Sequence, residues 1–256
     1  MESAQSEFRK KFRNSAEKRN SRLILAFDEP KAENVQTIIE TVTEYLAAFK
    51  FHTEHLSMWG LDVPALRQKI DSLAGERMPF IVDAKLADIP KTNAMKAKYY
   101  FSQGYDAITC HGFPGQESVE AVVKVASKMR RGVFLIVAMS SEDHLFDSRV
   151  VERLARMAKE LGVAGVIAPG NQYEVLRKVR RFIGPEMLIL SPGIGVQNGE
   201  AGRALRAGAD FAIIGRQIFE AENPEKIVIE IKERLNSCLV SAKRPRYGLR
   251  ESRRKP

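Results

Sequence analysis

The chain has 256 residues, 44% hydrophobic and 29% charged, enough to bury one sizeable core and in the range of one barrel or two small domains. Its two cysteines, Cys110 and Cys238, stand far apart with no CxxC pair, which argues against a disulfide framework and a cysteine-rich zinc site and points to a reducing compartment. The formal charge of +9 sits at the ends: seven Lys/Arg against three Glu in residues 1–22, and seven against one in 241–256, leave the body between them near neutral.

No apolar run approaches the roughly 20 residues of a membrane span, and the first 22 residues are too charged for a secretory core, so a cytoplasmic protein with no membrane partner is expected. Residues 1–21 read as a helical, basic extension. Phe8 and Phe12 stand one helical turn apart in it, placed to dock a short helix through their rings. Residues 22–238 read as the catalytic domain and 239–256 as a basic tail. Lys243-Arg244-Pro245-Arg246 and Arg253-Arg254-Lys255 in that tail can attract RNA or anionic surfaces without a specific site. A solvated, disordered end is the plainer reading, and nucleic acid is not expected as a partner.

After the extension a pattern repeats. Apolar strands are expected at 22–27, 47–51, 79–83, 107–109, 133–138, 163–168, 187–191 and 211–214, and amphipathic helices at 32–45, 63–73, 92–103, 116–129, 149–161, 173–182, 200–207 and 224–235. Strand followed by helix, eight times in about 220 residues, is the count and length of an α/β fold of the (β/α)8 TIM-barrel type, a single domain with parallel strands. A doubly wound open sheet is the alternative. It is disfavoured because Asp28-Glu29-Pro30, not a glycine-rich nucleotide loop, follows the first strand.

Chemistry in such a barrel collects at the C-terminal ends of the strands. Those ends carry Asp28, Lys50, then Asp83, Lys85 and Asp88, then His111-Gly112-Phe113-Pro114-Gly115, Met139-Ser140, Pro169-Gly170-Asn171, Ser191-Pro192-Gly193-Ile194-Gly195-Val196-Gln197 and Gly215-Arg216. Asp83 and Lys85, two apart on a strand, leave on one face and must meet. Such charges cost several kcal/mol of desolvation unless paired, so stability alone seldom selects them. Lys85, expected beside Asp83 and Asp88, should stay protonated and serve as a proton donor; flanking carboxylates oppose the neutral amine a Schiff base needs. Lys50 points into the same site. Gly193 and Gly195 let backbone N–H groups approach an anion, and Gly215-Arg216 opens the next helix, the loop pair where barrels most often hold phosphate.

Two other features bear on the site. His52 has the inward parity of Lys50 and is placed to crowd or tune the pocket, while the 139–148 loop is acidic. His52, Glu54 and His55 make a poor metal set, since 52 and 55 face opposite sides of a strand, and no metal is expected. His111 and His144 read as loop residues.

The set Asp28, Phe49-Lys50, Asp83-x-Lys85-x-x-Asp88-Ile89-Pro90-x-Thr92, His111-Gly112-Phe113-Pro114-Gly115, Met139-Ser140, Ser191-Pro192-Gly193-x-Gly195-x-Gln197 and Gly215-Arg216 resembles the orotidine 5′-phosphate decarboxylase family, the archaeal type most. The match runs in order over roughly residues 22–236. The resemblance implies a dimeric, cofactor-free barrel converting orotidine 5′-monophosphate to UMP and CO2 in pyrimidine biosynthesis. By position it implies that Lys85 protonates C6, that Asp83 lies near the leaving carboxylate, and that Asp88 and Thr92 come from the partner subunit. Asp28 and Lys50 would hold the ribose hydroxyls, Ser140 the pyrimidine edge, and Gln197 and Arg216, with backbone at Gly215, the phosphate, with Pro192 a further substrate-binding position. Two alternatives remain. Mg2+-dependent sugar-phosphate enzymes of the same superfamily, such as hexulose-phosphate synthase, use an acidic residue where this chain has Lys50, which cannot ligate Mg2+ while protonated. A non-catalytic phosphate- or RNA-binding protein would have no need of the charge cluster.

Overall fold

In a computed structural model of the chain, residues 2–28, 35–58, 60–141, 143–194 and 200–241 are described. Helix α1 (Ala4–Lys18) precedes β1 (Leu23–Phe27), α2 (Val35–Val42), β2 (Ala48–Phe51), α3 (Thr53–Met58), α4 (Val63–Ala74), β3 (Phe80–Leu86), α5 (Pro90–Ser102) and β4 (Ala107–His111). Then follow α6 (Gln116–Lys128), β5 (Gly132–Ile136), α7 (Ser148–Glu160), β6 (Gly165–Ile167), α8 (Tyr173–Ile183), β7 (Leu188–Ser191), α9 (Glu200–Ala207), β8 (Phe211–Ile214), α10 (Arg216–Phe219) and α11 (Pro224–Ser241). The eight strands pair in sequence order, all parallel, and β8 pairs back with β1, so the sheet closes into a (β/α)8 barrel. Residues 242–256, with the basic tail, lie outside the described residues.

Strand alternation sorts the core into two layers. Ile24 and Ala26, Ala48, Ile81, Ala107, Phe134 and Ile136, Ile167, Leu188 and Leu190, and Phe211 and Ile213 belong to an inner cluster. Their neighbours, among them Leu25, Phe49, Val82, Ile108, Leu135 and Val166, pack outward under the helices. Continuing the inner parity upward gives Asp28, Lys50, His52, Asp83, Thr109 and Gly215. The same alternation that fills the barrel therefore delivers the polar rim.

The N-terminal mouth is closed by α1. Ser3 caps that helix by accepting from Ser6 N–H. Phe12, fully buried, meets Phe211 edge-on at 4.9 Å and Phe134 at 6.1 Å, and Phe8 also packs on Phe134. Several of the N-terminal polar and basic side chains work inside the fold: Gln5 bonds the Arg131 carbonyl and Val133 N–H, Arg9 reaches the Val163 carbonyl, and Arg13 reaches the Glu186 carbonyl. Arg19 pairs with Glu76 at 2.7 Å. The net charge of the ends is thus not all free for an external partner.

Two differences from the sequence expectation matter for the site. Strand β3 does not end at Asp83 but continues to Leu86, and helix α5 begins at Pro90, whose fixed φ and missing N–H suit the first helical turn. The short helices α3 and α10, six and four residues long, carry too little periodicity to be read from sequence.

Candidate active site

The charged cluster is built by an irregularity. Val82 pairs with Ile108 and Leu86 with Cys110, so four steps of β3 run against two of β4. The surplus is taken up in a bulge where Lys85 adopts a left-handed backbone, φ +44°, uncommon for a residue with a Cβ. Thr109 holds the bulge: its hydroxyl accepts from Lys85 N–H at 3.0 Å and donates to Asp83 Oδ1 at 2.8 Å. Asp83 and Lys85 do meet, with Nζ 2.9 Å from Oδ2, but by this route and not by regular alternation.

Lys50, 5% exposed, stands at the centre. Its Nζ lies 2.9 Å from Asp83 Oδ2 and 3.1 Å from Asp28 Oδ1. Burial opposes its charge, but Asp83 and Asp28 outweigh it and raise the pKa above the ordinary lysine value. Burial likewise opposes ionisation of Asp83; the charges of Lys50 and Lys85 win and hold it well below the usual carboxylate range. Asp28 is brought to about 2 against its own burial, by hydrogen bonding to His52 and by the charge of Lys50. Asp83 Oδ2 is therefore shared between two ammonium groups, a chain of alternating charge in which each group fixes the next. His111, at the end of β4, has its pKa lowered by burial and by the charge of Lys85, and does not line the cavity.

The cluster forms one wall of a cavity of about 870 Å3 at the C-terminal ends of the strands. Ser140, Pro192, Gly193, Gly215 and Arg216 also line it, and Ile136, Ile167 and Ile213 make an apolar floor. Gly193 has φ +73°, and a Cβ on Gly215 would lie 2.6 Å from the Ala26 carbonyl oxygen, so the chain at these two rim positions has room only for glycine. Gln197 and Gly195 lie outside the described residues.

One expectation is corrected. Asp88 does not join Lys85 within the chain. Its carboxylate pairs with Lys96 Nζ at 3.0 Å and accepts from Ile89 N–H at 2.8 Å, while Asn93 Oδ1 accepts from Asp88 N–H. These bonds tie Asp88 to the first turns of α5 and turn it off the cavity; Thr92, in the same turn, does not line the cavity either. Thr109 was missed although its inward parity with Ala107 marked it. His52 lies where its parity placed it, in the cavity wall beside Lys50. Among the described residues no group of three His, Cys, Asp or Glu side chains is arranged to hold a metal ion.

Fold and site together define an enzyme of the (β/α)8-barrel class, with its chemistry at the C-terminal rim. The chain belongs to the orotidine 5′-phosphate decarboxylase / HUMPS family, whose family model matches residues 21–231. It is 37% identical over 222 residues to an orotidine 5′-phosphate decarboxylase of Methanosarcina mazei, covering 86% of this chain and 98% of that protein. It is 38% identical over 216 residues to that of Pyrococcus furiosus, covering 82% and 98%. Among solved structures, orotidine 5′-phosphate decarboxylase from Pyrococcus horikoshii superposes with a TM-score of 0.73 at 33% identity, over 83% of this chain and 98% of that one. The Methanocaldococcus jannaschii enzyme complexed with the inhibitor BMP gives 0.74 at 30%, over 84% and 99%.

Proposed function

We infer that the chain decarboxylates orotidine 5′-monophosphate to UMP and CO2, a step of pyrimidine biosynthesis, and that it does so with side chains alone. The observation that carries this reading is the shared oxygen: Asp83 Oδ2 sits 2.9 Å from both Lys50 and Lys85 at the wall of the cavity. In this reading Lys85 delivers its proton to C6 as CO2 departs. Asp83, held ionised by the two lysines, lies against the substrate carboxylate and disfavours it until it leaves, while the fixed ammonium groups need no reorganisation during the step. Asp28 and Lys50 take the ribose hydroxyls, Ser140 the pyrimidine edge, and Arg216 and Gln197, with Pro192 and the Gly215 backbone, the phosphate. Binding energy from that remote phosphate serves the distant carbon.

The family name spans decarboxylases and HUMPS enzymes, so the family alone does not choose between them. Lys50 favours the metal-free reaction: an ammonium held between Asp28 and Asp83 occupies the place where a Mg2+ site would need a further carboxylate. We further place Asp88 and Thr92 in the neighbouring site of a homodimer. Ile89, Met95 and Tyr99, each 60% exposed or more, support this, since they flank Asp88 and share the α5 face with Thr92. A cytoplasmic location is supported by two unpaired cysteines, Cys110 being buried; no helix among the described residues is long and apolar enough to cross a membrane.

The test is to add orotidine 5′-monophosphate to the purified protein in EDTA and follow the ultraviolet change on loss of the C6 carboxyl. UMP formation in EDTA is expected. Silence in EDTA, with sugar-phosphate turnover restored by Mg2+, would move the chain to the metal-dependent branch.

A further inference from the structure

His52 ends the inward row of β2, two residues past Lys50, and its ring lines the cavity. Its Nε2 is 3.2 Å from Asp28 Oδ1, 3.3 Å from Asp83 Oδ2 and 3.2 Å from Lys50 Nζ. A lone pair on Nε2 would face two anionic oxygens and one ammonium at nearly equal distance. Coulomb interaction over such similar separations favours a hydrogen there, because two attractions oppose one repulsion. Among the described residues, the charged groups at the ring are Asp28 at the end of β1, Lys50 on β2 and Asp83 on β3, with Lys85 paired to Asp83 and Glu54 in the first turn of α3. Without the imidazole these are two carboxylates and two ammonium groups at the cluster, with Glu54 outside it, so the immediate surroundings do not repel a positive ring.

We propose that His52 is a positioning residue of the reacting centre: its Nε2–H bridges Asp28 and Asp83 and fixes the two carboxylates between which Lys50 is held. The bridge spans two strands that carry different tasks. Among the described residues, Lys50 is the other group that joins Asp28, half exposed at the end of β1, to Asp83. With the bridge in place the pair keeps its spacing when substrate hydroxyls compete for Asp28, and Asp83 keeps its aim at Lys85.

The role rests on the decarboxylase reading, and the experiment separates the two. His52→Leu keeps the ring's approximate volume without a donor, and His52→Gln offers an amide N–H in its place. For loss of a hydrogen bond to charged partners, H52L should lower kcat/KM by roughly ten- to a hundredfold, and H52Q should restore most of it. Equal impairment of H52L and H52Q would overturn the role. In parallel, a histidine-selective 1H–15N spectrum of the wild-type protein, assigned by the signal lost in H52Q, reads the ring directly. A proton on Nε2 supports the bridge and a bare Nε2 overturns it, whatever the turnover. A protonated Nε2 in a protein that does not consume orotidine 5′-monophosphate would overturn the decarboxylase reading and leave the bridge standing.

Discussion

Lys85 is placed by its backbone as much as by its charge. The left-handed turn at this residue, held by Thr109, swings the ammonium back over Asp83. The other ammonium on Asp83, Lys50, is sealed within the wall, whereas the Lys85 side chain remains one-third exposed to the cavity. Lys85→Ala should therefore leave nucleotide binding within about tenfold, read by titration calorimetry with UMP, and remove roughly 10³-fold or more of turnover, the upper range for a positioned acid. Unchanged turnover would remove Lys85 from the mechanism. Asp28 makes a separate prediction. Its folded pKa of about 2 lies below the ordinary 3.8, so its pairing stabilises the fold at pH above 3.8 and is lost as the pH falls through about 2. Wild type should be more stable than Asp28→Asn at neutral pH, and the two urea midpoints should converge between pH 4 and 2. Parallel curves would show that Asp28 is no more strongly bound in the folded chain than in the unfolded one.

At the scale of elements, the barrel was legible and its irregularities were not. Eight apolar runs spaced by amphipathic stretches leave few folds, and inward parity carried Asp28, Lys50, His52 and Asp83 to one rim. The bulge in β3 escaped because a period of two assumes an unbroken ladder; the two-residue offset is fixed only when Leu86 finds Cys110. Asp88 escaped for a related reason. Its direction depends on Asn93 and Lys96, five and eight residues on, which reach it only once Pro90 has started α5. Helix α1 shows the opposite case, since the spacing of Phe8 and Phe12 alone marked the docking face. Phe12, packed on Phe134 and Phe211, closes the barrel mouth. Phe12→Ala should cost about 3–5 kcal/mol in guanidinium unfolding, with little change in kcat at 25 °C, because the plug lies at the end opposite the cavity. A loss below about 1 kcal/mol would mean that the mouth collapses around the vacancy.

Across the whole molecule, one short motif is divided between two faces. The cavity wall holds Asp28, Lys50, Asp83 and Lys85, yet Asp88, from the same short motif, is turned to Lys96 beside an apolar face. On α5 the residues Thr92, Met95 and Tyr99 recur at intervals of three and four and so share that face, with Ile89 just before the helix. Three large apolar side chains so exposed would be costly to leave in water and would contribute to a stable self-complementary contact. A two-fold contact there would carry Asp88 and Thr92 of each chain toward the other's rim. Met95→Asp puts an unpaired carboxylate into that contact, where its desolvation costs several kcal/mol, while on the isolated chain the same side chain is solvated. Sedimentation should then show the mass falling from two chains to one, with the urea midpoint of the barrel nearly unchanged and kcat/KM falling alongside the dimer fraction. Full turnover by a proven monomer would confine the site to one chain, and an undisturbed dimer would move the interface off α5.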